Sequence, residues 1–260
     1  MLISIVVTVR NEAKNIAALL DSLVLQEPPI EILVVDSGSE DPTRDIVRQY
    51  EARYEHVHLY IRGGTRGEGR NFGIGKARGE AIAFIDGDAI ANPFWVHEIR
   101  EGLKQADVVA GRTIQIGYRP FEELERVELI VQGSDVTFPS TNLAYRVSVL
   151  REVGGFDPWL RTAEDIDLNM RAVTAGHRIV YRAGMIVYHR TRDSYFDFLR
   201  QAFWNGVGRK QLTLKHGALW RHYRPFEMFR QKTTLWSILR LATALLGYVA
   251  YKVFGASRVP

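Results

Sequence analysis

The first half of the chain alternates between short apolar runs and polar segments with helical spacing. Residues 2–9, 31–36, 57–61 and 81–85 are nearly continuous in Ile, Val, Leu, Ala and Phe, the pattern of strands buried on both faces of a parallel sheet. Between them, Ile16, Leu19, Leu20 and Leu23 recur on one face of a segment from Lys14 to Leu25, which predicts a helix stopped by Pro28-Pro29. A turn of small polar residues from Ser37 to Thr43 opens a second helix to about Tyr54. Gly63 to Arg70 reads as a glycine-rich loop, with a helix over 71–77 behind it. Pro93 opens a helix to about Gln105, and a strand follows over 107–111. Strands alternating with helices predict an α/β architecture with a doubly wound, mostly parallel sheet.

The second half is less regular. Residues 120–131 suit a helix, and Ser140 to Tyr145 suits a strand entered from a polar loop. Val147 to Val153 reads as a short helix stopped by Gly154-Gly155. A turn at Phe156-Asp157-Pro158 precedes a helix entered through Glu164-Asp165-Ile166-Asp167-Leu168 and ending near Gly176. Two short strands, 178–181 and 185–188, lead to His189.

The chemistry concentrates where the fourth apolar run ends, at Asp86-Gly87-Asp88. Two carboxylates at the carboxyl end of a buried strand must meet water, a cation or both, and ligands of open α/β sheets bind along that edge. Oxygen ligands of this kind suit a hard divalent cation that also holds a substrate phosphate. A tight Asp-Gly turn between strand and helix is the alternative. Thr8, Asp36 and Asp88 fall at or just after three strand ends, so one shared site is expected.

Composition narrows the class further. With 260 residues and an ordinary apolar fraction, the chain has room for one large domain plus an appendage. It has no cysteine, which excludes disulfides and thiolate metal sites. No charged-then-apolar leader precedes the first strand, so the first domain is expected in the cytoplasm. The net charge of +4 is unevenly placed: from Tyr195 onward 11 Lys/Arg oppose only Asp197 and Glu227. That basic stretch is also rich in Trp, Phe, Tyr and Leu, which points to an anionic membrane surface and away from nucleic acid.

Several of these pieces, in this order, resemble a family 2 glycosyltransferase of the GT-A type, a Rossmann-like three-layer sandwich. The resemblance rests on Val7-Thr8-Val9-Arg10-Asn11-Glu12, on Val34-Val35-Asp36-Ser37-Gly38-Ser39 with Asp41 and Thr43, and on Gly69-Arg70-Asn71 before Asp86-Gly87-Asp88. It continues through Gly154-Gly155-Phe156-Asp157 to Glu164-Asp165-Ile166-Asp167-Leu168 and Arg171, and so covers roughly residues 1–190. It implies a metal-dependent, inverting transfer of a sugar from a nucleotide-diphospho-sugar to an acceptor hydroxyl. A UDP-sugar is the expected donor and a GDP-sugar the alternative, with Mn2+ or Mg2+ as cofactor.

By the same resemblance, Asp88 would ligate the metal, with Asp86 near ribose and metal, and His189 would join the metal or the diphosphate. Thr8, Arg10, Glu12, Asp36 and Ser37 would line the nucleotide pocket, with Arg70 reaching the base or the diphosphate. Asp165 is the expected base and Glu164 its alternate. Arg190 and Arg192 would assist the leaving phosphates, and Thr141 and Asn142 would face the acceptor. Bland readings stand beside these: Asp36 as a helix cap, Arg10 with Glu12 as a solvated pair, Arg66 and Arg70 as exposed loop cations, Glu164 and Asp165 as complements to a helix dipole. Asp167 and Arg171, four apart, suit a helix-face ion pair.

The domain is thus expected over 1–193, with a helical tail over 194–260 that is membrane-associated or oligomerising. Thr233 to Phe254 is largely apolar, but its uninterrupted run from Leu241 to Tyr251 is short for a bilayer. An interfacial helix, a helix packed on the protein or on a second copy, and a tilted span stay open, in that order. The expected location is the cytoplasmic side, peripheral to or anchored at the inner face of the cell membrane, and the expected acceptor is lipid-linked or membrane-proximal. Two rivals remain. A nucleotidyltransferase shares the sheet and the carboxylates, but the loop after the first strand, Arg10-Asn11-Glu12, lacks the glycines it needs. A non-catalytic nucleotide- or polyanion-binding module leaves both acidic motifs without a purpose.

Overall fold

The computed structural model describes residues 1–117, 128–190, 194–217, 219 and 234–255. Its centre is an eight-stranded sheet in the order β3-β2-β1-β4-β9-β6-β10-β5. The apolar runs supply β1 (Ile3–Val9), β2 (Ile30–Asp36), β3 (Val57–Ile61) and β4 (Ala81–Asp86), all mutually parallel. β5 (Ala89–Ala91), β6 (Val108–Ile116), β9 (Leu143–Arg146) and β10 (Ile179–Arg190) complete the sheet, with β9 antiparallel to both neighbours and β5 antiparallel to β10. Ile130–Val131 and Ser134–Asp135 pair apart from it as β7 and β8.

Alternation along β1 divides the core. Ile3, Ile5, Val7 and Val9 join α1 (Ile16–Val24) and α4 (Trp95–Leu103) on one face. Val6, Ile82 and Phe84 face the other side, against α5 (Val147–Val153) and α6 (Glu164–Thr174). Helices on both faces of one sheet make the three-layer sandwich that the strand pattern predicts. The helix α2 (Thr43–Arg53) follows β2 and buries Thr43 and Val47.

Three elements differ from the sequence reading. The supposed loop before residue 71 is already helix: α3 runs Arg66–Lys76, opened by Thr65, whose hydroxyl accepts from the Glu68 N–H while the Glu68 carboxylate accepts from the Thr65 N–H. Its glycines serve close approach. A Cβ at Gly73 would lie 2.5 Å from Val6 Cγ1, and one at Gly69 would lie 3.2 Å from Thr8 Cγ2, so α3 lies flat on β1. The two short strands near residue 185 are one strand, β10, with an irregularity between Arg182 and Ile186. The helix expected over 120–131 falls mostly outside the described residues, and its last two residues are β7.

The tail forms α7 (Tyr195–His216) and α8 (Leu235–Phe254). α7 returns onto the domain: Leu212 joins Leu160, Ile166 and Met170 in an apolar cluster.

Candidate active site

Register puts the strand ends level. Thr8 pairs with Asp86 across β1 and β4, and Val9 pairs with Asp36 across β1 and β2. Three of the expected site residues therefore sit side by side on the carboxyl edge, where the chain order reverses about β1.

Asp36 is fully buried. One carboxylate oxygen accepts from the Gly38 and Ser39 N–H groups and from Arg44 Nε at 2.7 Å. The other is buried with no hydrogen-bond partner among the described residues. Although burial opposes ionisation, these donors hold the carboxyl below the usual range. Asp36 is not a helix cap, because α2 begins at Thr43 behind Pro42 with no side-chain cap; one oxygen ties the turn after β2, and the other is left over for a further donor. Ser37 spends its hydroxyl on the Val9 carbonyl at 3.2 Å. Glu12 accepts from Asn15 and packs its methylenes toward Gly87. Arg10 is exposed beside them.

Asp86, Asp88 and His189 bring one ligand atom each to within 4.8 Å of one another. The pairing of β10 with β5 sets His189 opposite Ala89, one residue beyond Asp88, with His189 Nε2 3.2 Å from Asp88 Oδ1. The other ring nitrogen, Nδ1, lies 3.2 Å from the Gln115 side-chain oxygen. A proton on Nδ1 satisfies that oxygen and leaves the Nε2 lone pair toward the carboxylates, the outer-shell device that fixes a ligating histidine. Two carboxylates and an oriented imidazole form a donor set that fits a divalent cation.

Arg70 connects this group to the second acidic motif. Its guanidinium is only 2% exposed. One end donates to Asp86 at 2.9 Å and the other to Glu164 at 2.8 Å, while the group stacks near the Phe156 ring. Arg70 lies in the site, then, with both ends engaged by carboxylates. Arg66 lies one turn earlier on α3, and its charge is stabilised first by Asp86, then by Glu164, Asp165 and Asp88. Burial opposes ionisation of Asp86, but Arg70, Arg66 and His189 hold its carboxyl low.

Glu164 and Asp165 open α6 from Ala163, which holds a left-handed backbone at φ +62°. Such a conformation in a non-glycine residue is uncommon and gathers at functional sites. Glu164 is buried and committed to Arg70. Asp165 accepts from the N–H groups of Ser140 and Ile166. Burial, then the adjacent Glu164 charge, push its carboxyl up to about 6. A carboxyl raised in this way can exchange a proton near neutrality.

Other expected residues are placed differently. Asn142 is fully buried, accepts from Trp95 Nε1 at 2.8 Å and donates to the Arg112 and Met185 carbonyls, so it braces α4, β6 and β10 just before β9 begins. Thr141 is buried, and its hydroxyl has no partner among the described residues. The Asp167–Arg171 pair forms at 2.8 Å, on a buried carboxylate that Lys215 and His216 of α7 also engage. Arg190 ends β10, and Arg192 lies outside the described residues. The sequence reading missed Gln115, because its partner His189 is 74 residues away and only the β6–β10 register joins them.

Comparison with known proteins bears on the family and the fold. The family model "Glycosyl transferase family 2" matches residues 4–154, and "Glycosyl transferase family group 2" matches residues 81–257. Glycosyltransferase AglE of Haloferax volcanii is 28% identical over 81% of this chain, which spans 73% of that relative. The poly(ribitol-phosphate) beta-glucosyltransferase of Bacillus spizizenii is 31% identical over 73% of this chain, which spans 32% of its length. Among solved structures, S. aureus TarS in complex with UDP-GlcNAc superposes with a TM-score of 0.65 at 22% identity, covering 96% of this chain and 81% of that one. A mannosyltransferase from Pyrobaculum calidifontis, in complex with GDP-Man and Mn2+, gives 0.66 at 18% identity, covering 98% and 76%. With the sheet order and the paired acidic motifs already in place, these matches make the chain a glycosyltransferase of the GT-A fold and a member of glycosyl transferase family 2.

Proposed function

We propose that this enzyme transfers a sugar, with inversion, from a nucleotide-diphospho-sugar to an acceptor hydroxyl, and that it needs a divalent cation. The observation that carries the reading is the Arg70 bridge, which ties the Asp86–Asp88–His189 group to Glu164 beside Asp165. When bound, the cation supplies Lewis acidity to the departing diphosphate. Asp86, Asp88 and His189 would hold it, and the free oxygen of Asp36 would accept an N–H of the nucleotide base. Thr8, Arg10 and Glu12 would border that base.

Asp165 takes the acceptor proton as the acceptor oxygen attacks the anomeric carbon. The bond from that carbon to the diphosphate oxygen breaks, and its electron pair leaves with the nucleoside diphosphate. One base and one direct displacement invert the anomeric centre. Glu164 is tied to Arg70 and so is not aimed at the acceptor. A UDP-sugar is the favoured donor and a GDP-sugar the alternative. The basic, aromatic tail supports a membrane-proximal acceptor and work at the inner face of the cell membrane.

Calorimetric titration with UDP and with GDP, with and without Mn2+, tests the reading on wild type and Asp88→Asn. Metal-dependent binding of one nucleotide, lost in the variant, is expected. Folded protein that binds neither nucleotide with any metal would overturn it.

A further inference from the structure

The tail helix α8 is apolar on the wrong side for a helix in water. Its outward face carries Leu235, Ile238, Leu241, Leu245, Leu246 and Val249, each about half exposed or more. A soluble helix turns such a stripe inward, and a contiguous apolar patch of this kind marks an interaction surface. The inward face is spent on α7. A Cβ at Gly206 would lie 1.7 Å from the Ala244 carbonyl oxygen, and one at Gly247 would lie 2.0 Å from that of Phe203, so the two backbones touch.

Direction decides what covers the outward face. Trp236 packs on Tyr195 and Phe198, Ala244 on Gly206, and Tyr248 under the Lys210 ammonium at 5.4 Å. These pairs advance together along both helices, so α8 runs in the same direction as α7. In turn α7 is fastened lengthwise to the domain. Thr162 donates to the Trp204 carbonyl, Gln211 to the Trp159 carbonyl, Lys215 engages Asp157 and Asp167, and His216 meets Asp167 at 2.7 Å. By length and composition α8 could cross a membrane. Crossing in this arrangement would carry Arg200, Arg209, Lys210 and the side of the domain into hydrocarbon with it, which lipid does not tolerate.

We infer that α8 lies flat in the surface of an anionic lipid bilayer, its outward face in the acyl boundary, clamped to the domain by α7. The 11 Lys/Arg against two acids from Tyr195 onward supply the charge complementarity. The end of α8 that bears Trp236 adjoins the start of α7, four residues beyond β10, the strand that holds His189. The catalytic edge therefore faces the lipid–water boundary, and the acceptor is an amphiphile whose hydroxyl-bearing head stands in water. That last clause rests on the proposed transferase reading; the bilayer seat does not.

Sedimentation of the full chain with phosphatidylcholine vesicles, with and without phosphatidylglycerol, tests the seat. Wild type is expected to sediment with the anionic vesicles, less so at high salt, and to be released by alkaline carbonate. The double variant Leu241→Gln, Leu245→Gln is expected to lose partitioning about tenfold or more while keeping metal-dependent nucleotide binding. Retention through carbonate would make α8 a span and overturn the flat seat. Unchanged partitioning of the variant, no binding to any vesicle, or a dimer in light scattering that the double variant dissolves would each overturn it as well, the last in favour of a second copy. Vesicle binding without nucleotide binding would leave the seat standing and remove the transferase reading.

Discussion

Two acidic motifs meet opposite ends of one arginine, and one carboxyl in each is shifted, Asp86 downward and Asp165 upward. Asp86 and Asp88 flank a glycine at a strand end, where Arg70, Arg66 and His189 keep Asp86 ionised. Glu164 and Asp165 open a helix, where Arg70 is consumed by Glu164 and Asp165 is left to burial and a like charge, which raise it to about 6. The same residue type is thus held ionised on one side and brought toward neutral titration on the other. The difference lies in how cations are shared out, and it shows that environment assigns the role of a carboxylate.

The sharpest way to break the comparison is to remove the proton acceptor alone. Asp165→Asn is expected to lower kcat by about 10²–10⁴ while nucleotide binding with Mn2+ is unchanged. An equal loss of donor affinity in that variant would place Asp165 on the donor side and refute the division of roles. Cutting the link should act on both pairs at once. Arg70→Met leaves the buried Glu164 charge without its partner and is expected to destabilise the fold by about 3–5 kcal/mol in urea melts.

The pH profile sharpens the contrast. Because Asp165 must be ionised to accept a proton, kcat/KM is expected to fall about tenfold per unit below pH ~6. A profile flat down to pH 5 would exclude it as the base. The smallest effect is on stability, and its sign is distinctive. An unfolded aspartate titrates near ~3.9, so between there and about 6 the native state binds more protons and loses stability as pH rises. Asp165→Asn removes that loss. It is expected to be the more stable protein at pH 8 by on the order of 1–2 kcal/mol, and to gain nothing at pH 4.

How far the sequence discloses this arrangement depends on the range of the interaction. The strands β1, β2 and β4 are legible because burial on both faces demands unbroken apolar runs, and their level ends follow from parallel pairing. The pairs Asp86/Asp88 and Glu164/Asp165 are legible as local motifs. The start of α3 was equally local, since Thr65 and Glu68 form a capping box, but three glycines among the residues from Gly63 to Gly67 outweighed it as loop signals. What no local pattern carries is the partner of Arg70, 94 residues away in Glu164, or the Gln115 contact that orients His189. Asn142 illustrates the converse error: a polar residue expected to face the acceptor proves to be a buried brace, its amide taken by Trp95 of α4 and by the carbonyls of two strands, β6 and β10.

The glycines of α3 have a further consequence. The helix lies on β1 with no side-chain thickness at positions 69 and 73, so the height of Arg70 above the sheet is set by backbone contact with Thr8 and Val6. A single methyl at Gly73 would have to lift the helix or displace Val6, because interiors are packed too densely to absorb it. Arg70 would rise with the helix, and its two ends could no longer meet both acids at 2.9 and 2.8 Å. The helix is in effect a gauge block: the spacing between the two acidic motifs is machined by the absence of two side chains.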